Sequence, residues 1–295
     1  MSVLLVCGNS FDKSLVKYEH VFSGFSANPT YEQVMEGVEI FLNTNTTEII
    51  ACGGGSAIDT AKAIKYYANS LDTPLTAIPT TAGSGSEATD FAVIYKNGQK
   101  ISLEHTSLLP DKVVFKPQLL STLPLYLKQA SLLDAWAQAI ESLWSKNATS
   151  QSKAYANEAI ETIEKNHKAY LNNEQDSYEH ILKAANLAGK AICITKTTAP
   201  HAMSYKITTM FGIAHGHAVA LTLAKVHQAM GLKDEHISAK VNNFDNAFKA
   251  MGLPKPDIYD ILTKEVNVQR LKNSPHILTE AQIYNIYKEV LSQWM

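Results

Sequence analysis

The chain has 295 residues, of which 45% are hydrophobic and 18% are charged, a composition typical of a globular protein with a substantial core. Its formal net charge is -2, and no run of lysine and arginine is long enough to follow a phosphate backbone, so we expect no nucleic acid partner. Three widely spaced cysteines argue against a disulfide framework and favour a reducing compartment. No stretch reaches the roughly 18 apolar residues that a membrane span requires. We therefore expect a soluble, cytoplasmic protein.

The first third of the chain alternates short β-branched runs with stretches of helical periodicity. This pattern is typical of a parallel sheet with crossover helices. It predicts strands at residues 3–7, 48–52 and 74–78, and helices at 30–42 and 57–67. A hairpin is predicted at 91–95 and 100–103, because Asn97 followed by Gly98 favours a tight reversing turn.

From about residue 120 onward the pattern is almost wholly helical. Helices are predicted at 127–144, 150–170, 178–195, 218–230, 237–251 and 280–293. Prolines interrupt the periodicity between residues 117 and 124. We therefore predict two domains, an α/β N-terminal domain over 1–119 and an all-α C-terminal domain over 120–295.

Two turns that follow predicted strands are candidates for nucleotide binding. The first follows the second strand and opens a helix; it consists of Gly53, Gly54, Gly55 and Ser56. Bare backbone N–H groups at the positive end of a helix bind diphosphate, although a plain turn capped by Ser56 is the alternative reading. The second turn follows the third strand and carries the hydroxyl groups of Thr80, Thr81, Ser84 and Ser86. Two such turns at one sheet edge favour a dinucleotide site.

Polar residues in the helical region are candidates for a metal site. Asp134 and Gln138 are one helical turn apart, so their side chains emerge on one face. His201 lies at a predicted helix start, and His215 and His217 lie in a glycine-containing turn. A lone histidine is usually packed or solvated, whereas three within residues 201–217 indicate a functional role.

These segments together resemble one known family. Residues 53–62 (GGGSAIDTAK) and 78–87 resemble the two cofactor-binding signatures of the iron-containing alcohol dehydrogenases. Residues 133–141 resemble the DAxxHAIE metal motif of that family, and His201 and His215 lie in segments similar to its HAMxH and PHG elements. The resemblance implies a Rossmann-like dinucleotide-binding N-terminal domain and an all-α metal-binding domain of the dehydroquinate synthase-like fold. It also implies NAD or NADP bound between them and a homodimer.

The resemblance implies specific roles in the helical domain. The metal-ligand positions are Asp134, Gln138, His201 and His215. Gln138 stands where most relatives have histidine, and because an amide oxygen is a weaker ligand than imidazole, it predicts weaker binding or a different metal. Fe²⁺ and Zn²⁺ both remain open. Tyr205 stands where many relatives have a second histidine, and the proton for the alkoxide would come from water, Tyr205 or His217.

The cofactor-binding positions that the resemblance implies lie in the first domain. They are Gly8, Asn9, Gly53, Gly54, Gly55, Ser56, Asp59, Thr80, Thr81, Ser84, Ser86 and Lys100. Gly8 follows the first strand, where relatives that look NAD-specific have aspartate. A carboxylate there binds the ribose hydroxyls and repels a 2′-phosphate. Glycine therefore favours NADP, with NAD as the alternative.

The implied activity is the interconversion of a small aldehyde and its alcohol. Gln138 and the run 196–219 resemble the branch that contains phosphonoacetaldehyde reductases. Lys100, Lys196 and Lys206, with His217, would supply cationic or donor groups to an anionic substrate, although solvated surface is the better interpretation of any one of these lysines by itself. The alternatives are a polyol or polyol-phosphate dehydrogenase of the same fold, and a degenerate, non-catalytic member of the family.

Overall fold

The computed structural model describes residues 2–250 and 266–292. The chain divides into two compact units, Met1–Ser121 and Thr122–Met295. The division falls inside the proline-containing stretch 117–124. Within the described residues, no helix is both long enough and apolar enough to cross a membrane.

The first unit is built on a parallel sheet. The described strands are β1 (Val3–Cys7), β2 (His20–Phe22), β3 (Glu48–Gly53), β4 (Leu75–Pro79), β5 (Phe91–Lys96), β6 (Gln99–Glu104) and β7 (Lys112–Val113). Five of them form the sheet in the order β2-β1-β3-β4-β7, and all four pairings are parallel. The strands predicted at 3–7, 48–52 and 74–78 are confirmed to within one residue. β2 and β7 were not predicted, because runs of three and two residues are too short to show a period.

Two helices and a hairpin complete the first unit. Helix α1 (Tyr31–Asn43) begins after Thr30, whose hydroxyl and Gln33 form a reciprocal capping box. Helix α2 (Gly55–Tyr67) follows β3 directly. β5 and β6 pair antiparallel, and both Asn97 (φ 52°) and Gly98 (φ 73°) adopt the left-handed conformation that a tight hairpin turn needs. The predicted helices and hairpin are therefore confirmed.

The second unit is helical throughout its described elements. They are α3 (Leu125–Trp144), α4 (Ser150–Leu171), α5 (Asp176–Thr195), α6 (Ala199–Phe211), α7 (His215–Met230), α8 (Glu235–Ala250), α9 (Val268–Leu271) and α10 (Glu280–Ser292). The six predicted helices are confirmed with ends that shift by up to three residues, while Met251 and Gln293 lie outside the described residues. One expectation is corrected: His215 and His217 lie in the first turn of α7 and not in a loop. Periodicity placed that helix start too late because Gly216 weakens the helical signal.

Helix α3 is the centre of the second unit. It packs against α4, α5, α7 and α8, and its residues from Lys128 to Trp144 are buried with one exception, Ser131. A helix that is buried on all sides needs apolar or paired residues around its whole circumference. Each buried polar side chain of α3 therefore requires a partner.

Candidate functional site

The two predicted cofactor turns lie at the same edge of the sheet. β3 and β4 are neighbours with Gly53 opposite Pro79, and the Thr80 amide donates to the Gly53 carbonyl at 3.0 Å. A Cβ atom on Gly55 would lie 2.8 Å from the Cβ of Ser84. Because real Cβ atoms do not approach that closely, glycine at this position is what allows the two turns to pack together.

The amino end of α2 is open to an anion in the way that a diphosphate site requires. Its N-cap residue, Gly54, provides no side-chain hydrogen bond to the helix. The Ser56 hydroxyl does not cap the helix either, because it donates to the Ala27 carbonyl at 2.5 Å. These contacts disfavour the reading of this segment as a plain turn capped by Ser56, since no side chain takes the place of a phosphate.

A buried lysine that is not among the predicted site residues holds the second turn to α2. Lys62 is fully buried, and its Nζ donates to the carbonyls of Ser86 at 2.5 Å, Thr89 at 2.7 Å and Phe91 at 2.9 Å. Three carbonyl acceptors match the three protons of the ammonium group, which makes its burial tolerable. The sequence carried one signal that Lys62 has a partner in the fold. It follows Asp59 by three residues, so the two side chains share a helix face.

Asp59, which is predicted to bind the cofactor, makes a hydrogen bond inside the first unit. Its Oδ2 accepts a hydrogen bond from the Val93 amide of β5 at 3.0 Å. Burial raises the pKa of Asp59, while the charges of Lys62 and, to the smallest extent, Lys100 oppose that rise. Asp59 therefore holds the β5–β6 hairpin to α2. Lys100, half-buried on β6, lies close enough to Asp59 for its positive charge to act on the pKa of the Asp59 carboxyl.

Gly8 and Asn9 follow β1, which is the neighbour of β3 in the sheet. They therefore lie at the same edge as the glycine-containing turn after β3. A Cβ atom on Gly8 would meet no atom within 4 Å, and Asn9 is exposed. The space beside Gly8 can accept a larger side chain or part of a ligand.

Three of the predicted metal ligands converge in the second unit. Asp134 of α3, His201 of α6 and His215 of α7 each offer a ligand atom, and these atoms all lie within 4.8 Å of one another. The Asp134 Oδ1 lies 3.2 Å from the His201 Nε2 and 4.0 Å from the His215 Nε2. Asp134 and His201 are buried, whereas 36% of the His215 side chain is exposed. The cluster therefore has a closed side and a side that a small molecule can reach.

Hydrogen bonds orient both imidazole rings with Nε2 toward Asp134. The His201 Nδ1 is bonded to the Glu141 carboxylate. The Ser204 hydroxyl donates to the His201 carbonyl at 2.8 Å and lies 3.4 Å from the His215 Nδ1, so it accepts the Nδ1 proton of that ring. Each ring therefore keeps a proton on Nδ1, and Nε2 is the nitrogen that would bind a metal ion; at His201 the ion would displace the proton that Nε2 donates to Asp134.

The charges in the cluster reinforce one another. Burial opposes ionisation of Asp134, but the charge of His215 and the hydrogen bonds of His201 and Gln138 outweigh it and lower the pKa of Asp134. Burial also opposes protonation of His201, but the charge of Glu141 and the hydrogen bonds to both carboxylates raise the pKa of His201 to about 9. Asp134 therefore keeps its negative charge, which is the charge that attracts a cation.

Gln138, the fourth predicted ligand, is buried one turn after Asp134 on α3. Its side chain forms a hydrogen bond with the Asp134 carboxylate. It is thus adjacent to the cluster and supports one of its members directly.

The two predicted catalytic residues have different surroundings. Tyr205 is half-buried and stacks on His215, with the ring centroids 5.5 Å apart and the planes 4° from parallel. His217 is fully buried, and burial lowers its pKa to about 4. It is therefore neutral near pH 7 and adds no positive charge for an anionic substrate, contrary to the cationic role considered for it.

Tyr126 is a residue near the cluster that nothing in the sequence indicated. Its hydroxyl accepts a hydrogen bond from the Ala214 amide at 3.0 Å and lies 3.0 Å from the His217 Nδ1. The hydroxyl and the His217 Nδ1 share a second hydrogen bond, whose direction depends on the tautomer of His217. Tyr126 thereby holds the residue that precedes His215.

The donor set fits a divalent metal ion. Two imidazole nitrogens and one carboxylate, with the remaining positions open, are the arrangement in which proteins hold non-haem iron(II), and Zn²⁺ accepts the same ligands. The residues that would hold the ion are Asp134, His201 and His215, each with an available ligand atom.

Comparison with known proteins identifies the family. The profile described as iron-containing alcohol dehydrogenase matches residues 5–117, and the profile described as Fe-containing alcohol dehydrogenase family, C-terminal, matches residues 128–253. A phosphonoacetaldehyde reductase from Streptomyces viridochromogenes is 32% identical over 203 residues, which cover 60% of this chain and 51% of that protein. Alcohol dehydrogenase 4 of Schizosaccharomyces pombe is 31% identical over 245 residues, which cover 76% of this chain and 57% of that protein.

The chain thus spans about half the length of these two relatives. A crystal structure of an iron-containing alcohol dehydrogenase is 27% identical and superposes with a TM-score of 0.89, covering 99% of this chain and 91% of that one. The two profiles together account for most of the chain, one in each unit. The chain belongs to the iron-containing alcohol dehydrogenase family.

Proposed function

We propose that this protein is a metal-dependent, NAD(P)H-linked alcohol dehydrogenase that reduces a small aldehyde or oxidises the corresponding alcohol. The observation that carries the proposal is the convergence of Asp134, His201 and His215, whose ligand atoms lie within 4.8 Å of one another. The two turns at the sheet edge of the first unit support it, because they provide the uncapped helix end that a diphosphate binds.

The proposed chemistry follows from what each part can supply. A divalent metal ion, when bound, is a Lewis acid that polarises a carbonyl group, and a nicotinamide cofactor provides the hydride. The lowered pKa of Asp134 keeps its carboxylate charged. His201 and His215 present Nε2 because Glu141 and Ser204 hold their Nδ1 protons. Gly54 and Gly55 leave the start of α2 accessible to the cofactor phosphates.

We propose Tyr205 as the residue that delivers the proton to the product. It is half-buried and its ring stacks on that of His215, so it lies beside the cluster and is not sealed from water. His217 is a poorer candidate because it is fully buried and its Nδ1 is bonded to Tyr126.

We further propose that the substrate is a two- or three-carbon aldehyde that carries an anionic group such as a phosphonate. The name of the Streptomyces viridochromogenes relative supports this class. Lys196 and Lys206 are half-buried residues on either side of His201 in the chain, and each carries a cationic group of the kind that binds an anion.

A reductase assay tests the function and the substrate class together. Protein loaded with Fe²⁺ should oxidise NADPH in the presence of phosphonoacetaldehyde, and more slowly with a neutral aldehyde of the same chain length. The Asp134→Asn variant is the matched control and should show no activity above background, because it loses the carboxylate of the cluster. Equal rates on the neutral aldehyde would remove the anionic substrate, and NADPH and metal binding without turnover of any aldehyde would indicate a non-catalytic protein.

We propose NADP as the cofactor, and Gly8→Asp is expected to shift the preference toward NAD. The substitution fits because a Cβ on Gly8 would have open space around it. A carboxylate beside a 2′-phosphate is repelled by about 1 to 4 kcal/mol at about 4 Å, which lowers kcat/KM for NADPH about fivefold or more relative to NADH. The measurement is the ratio of kcat/KM for the two cofactors, with Gly8→Asn as the uncharged control. An unchanged ratio in Gly8→Asp would contradict a role for position 8 in cofactor selection.

A further inference from the structure

A buried carboxylate that the proposed chemistry does not use directly lies behind the metal ligands. Glu141 is fully buried on α3, two helical turns after Asp134. Its Oε1 accepts a hydrogen bond from the His201 Nδ1. Its Oε2 accepts from the Thr198 amide at 2.5 Å and from the Thr198 hydroxyl at 2.6 Å. Both oxygens of this carboxylate therefore accept hydrogen bonds from the segment that starts α6, namely its N-cap residue Thr198 and His201 in its first turn.

Thr198 directs its side chain away from its own helix. It is the N-cap residue of α6, but its hydroxyl makes no capping hydrogen bond and donates to Glu141 instead. The same hydroxyl accepts a hydrogen bond from the Trp144 Nε1 at 2.9 Å. Two residues of α3, Glu141 and Trp144, thus hold the first turn of α6, which is the turn that contains His201.

The bond to Glu141 determines which nitrogen of His201 faces the cluster. With the proton on Nδ1 engaged by Glu141, the Nε2 is directed toward the Asp134 Oδ1, 3.2 Å away. If the ring were free to rotate or to exchange tautomers, Nε2 would be lost as a ligand for part of the time. A charged acceptor on Nδ1 also makes Nε2 a stronger donor to a metal ion.

We propose that Glu141 is the positioning residue of the metal site, which fixes the ring and tautomer of His201 so that Nε2 faces Asp134 and His215. The inference rests on the proposed metal-dependent function. Glu141 acts through His201 and is not itself a ligand. The cost of burying its charge is offset by three donors, two of which come from Thr198.

The test measures metal affinity and folding separately. Metal-free wild-type protein and the variants Glu141→Gln and Ser142→Ala are titrated with Fe²⁺ without oxygen and, separately, with Zn²⁺. Ser142 is the matched control because it is a fully buried neighbour on α3 whose hydroxyl donates to the Gln138 carbonyl and contacts Thr195 without reaching His201. Glu141→Gln should raise the dissociation constant of both metals about 10- to 100-fold, and Ser142→Ala should leave it unchanged.

A second readout distinguishes positioning from a general loss of structure. In zinc-loaded protein labelled with ¹⁵N-histidine, the ring signals absent from His201→Ala identify His201. They should report protonated Nδ1 and metal-bound Nε2 in the wild type, and lose this pattern in Glu141→Gln. If Glu141→Gln fails to fold, Thr198→Val serves in its place; it removes one donor to Glu141 together with the acceptor of the Trp144 Nε1–H, and should raise the dissociation constant of both metals.

The outcomes separate this inference from the proposed function. Wild-type protein that binds neither metal would overturn both. Wild-type protein that binds metal, together with Glu141→Gln that binds equally tightly and keeps the same His201 signals, would overturn the positioning role alone. Equal weakening by Ser142→Ala would also overturn it, because the effect would then belong to any change in this part of α3.

Discussion

Replacing Gly216 with alanine is expected to abolish stoichiometric metal binding and to lower the free energy of unfolding by about 2 to 3 kcal/mol. A Cβ atom at this position would lie 2.0 Å from the Ala130 carbonyl oxygen and 2.7 Å from the Asp134 Cβ. The first of these atoms belongs to the backbone of α3, which cannot move aside without separating α3 from α7. Because Asp134 is on α3 and His215 begins α7, that separation pulls two of the proposed metal ligands apart.

The measurement combines metal content after dialysis with urea unfolding of the metal-free protein. Gly8→Ala is the control, since it makes the same chemical change where a Cβ meets no atom within 4 Å. It should leave metal content and the unfolding midpoint unchanged. A Gly216→Ala protein that holds one metal ion with wild-type affinity would show that the close approach of the two helices does not determine the site.

Replacing Gln138 with histidine is expected to tighten metal binding by about 100-fold, or about 2.8 kcal/mol. Gln138 lies one turn after Asp134 on a buried helix, and its side chain already reaches the Asp134 carboxylate by a hydrogen bond. A histidine at this position would add an imidazole nitrogen beside the two of His201 and His215. Imidazole binds iron and zinc more strongly than an amide oxygen does, so the added ligand raises the affinity for either metal.

The control for this prediction is Gln129→His, the same substitution at another buried position of α3. It should leave the dissociation constant of Fe²⁺ unchanged, which separates an added ligand from an effect of histidine on the helix. Competition with a chromogenic chelator gives the two constants under identical conditions. If Gln138→His bound Fe²⁺ no more tightly than the wild type, position 138 would lie outside the reach of the metal.

The structure of the first unit was largely predictable because its signals are local. The capping box at Thr30, the alternation of strands and helices, and the glycines after β3 are each contained in a few consecutive residues. Because β3 and β4 are adjacent and parallel, the turns that follow them lie at the same edge of the sheet. What local signals missed were the short strands β2 and β7, and Lys62, whose burial depends on three carbonyls that lie 24 to 29 residues away.

The metal cluster was predictable only in part. Asp134 and Gln138 share a helix face by their spacing, but His201 and His215 joined them through a family resemblance, since no local rule brings α3, α6 and α7 together. Glu141 shares the face of Asp134 two turns on, a spacing that could have drawn attention to it. Tyr126 had no such signal, because its partners Ala214 and His217 are 88 and 91 residues away.

By itself the sequence determined where most helices and strands lie and which glycines form the turn after β3. These properties depend on residues that are neighbours in the chain. Only the tertiary structure decided that Glu141 holds His201, that Tyr126 holds the start of α7, and that Gly216 must have no side chain. Those contacts join backbones and side chains that are far apart in sequence, and close packing alone brings them within a few ångströms of each other.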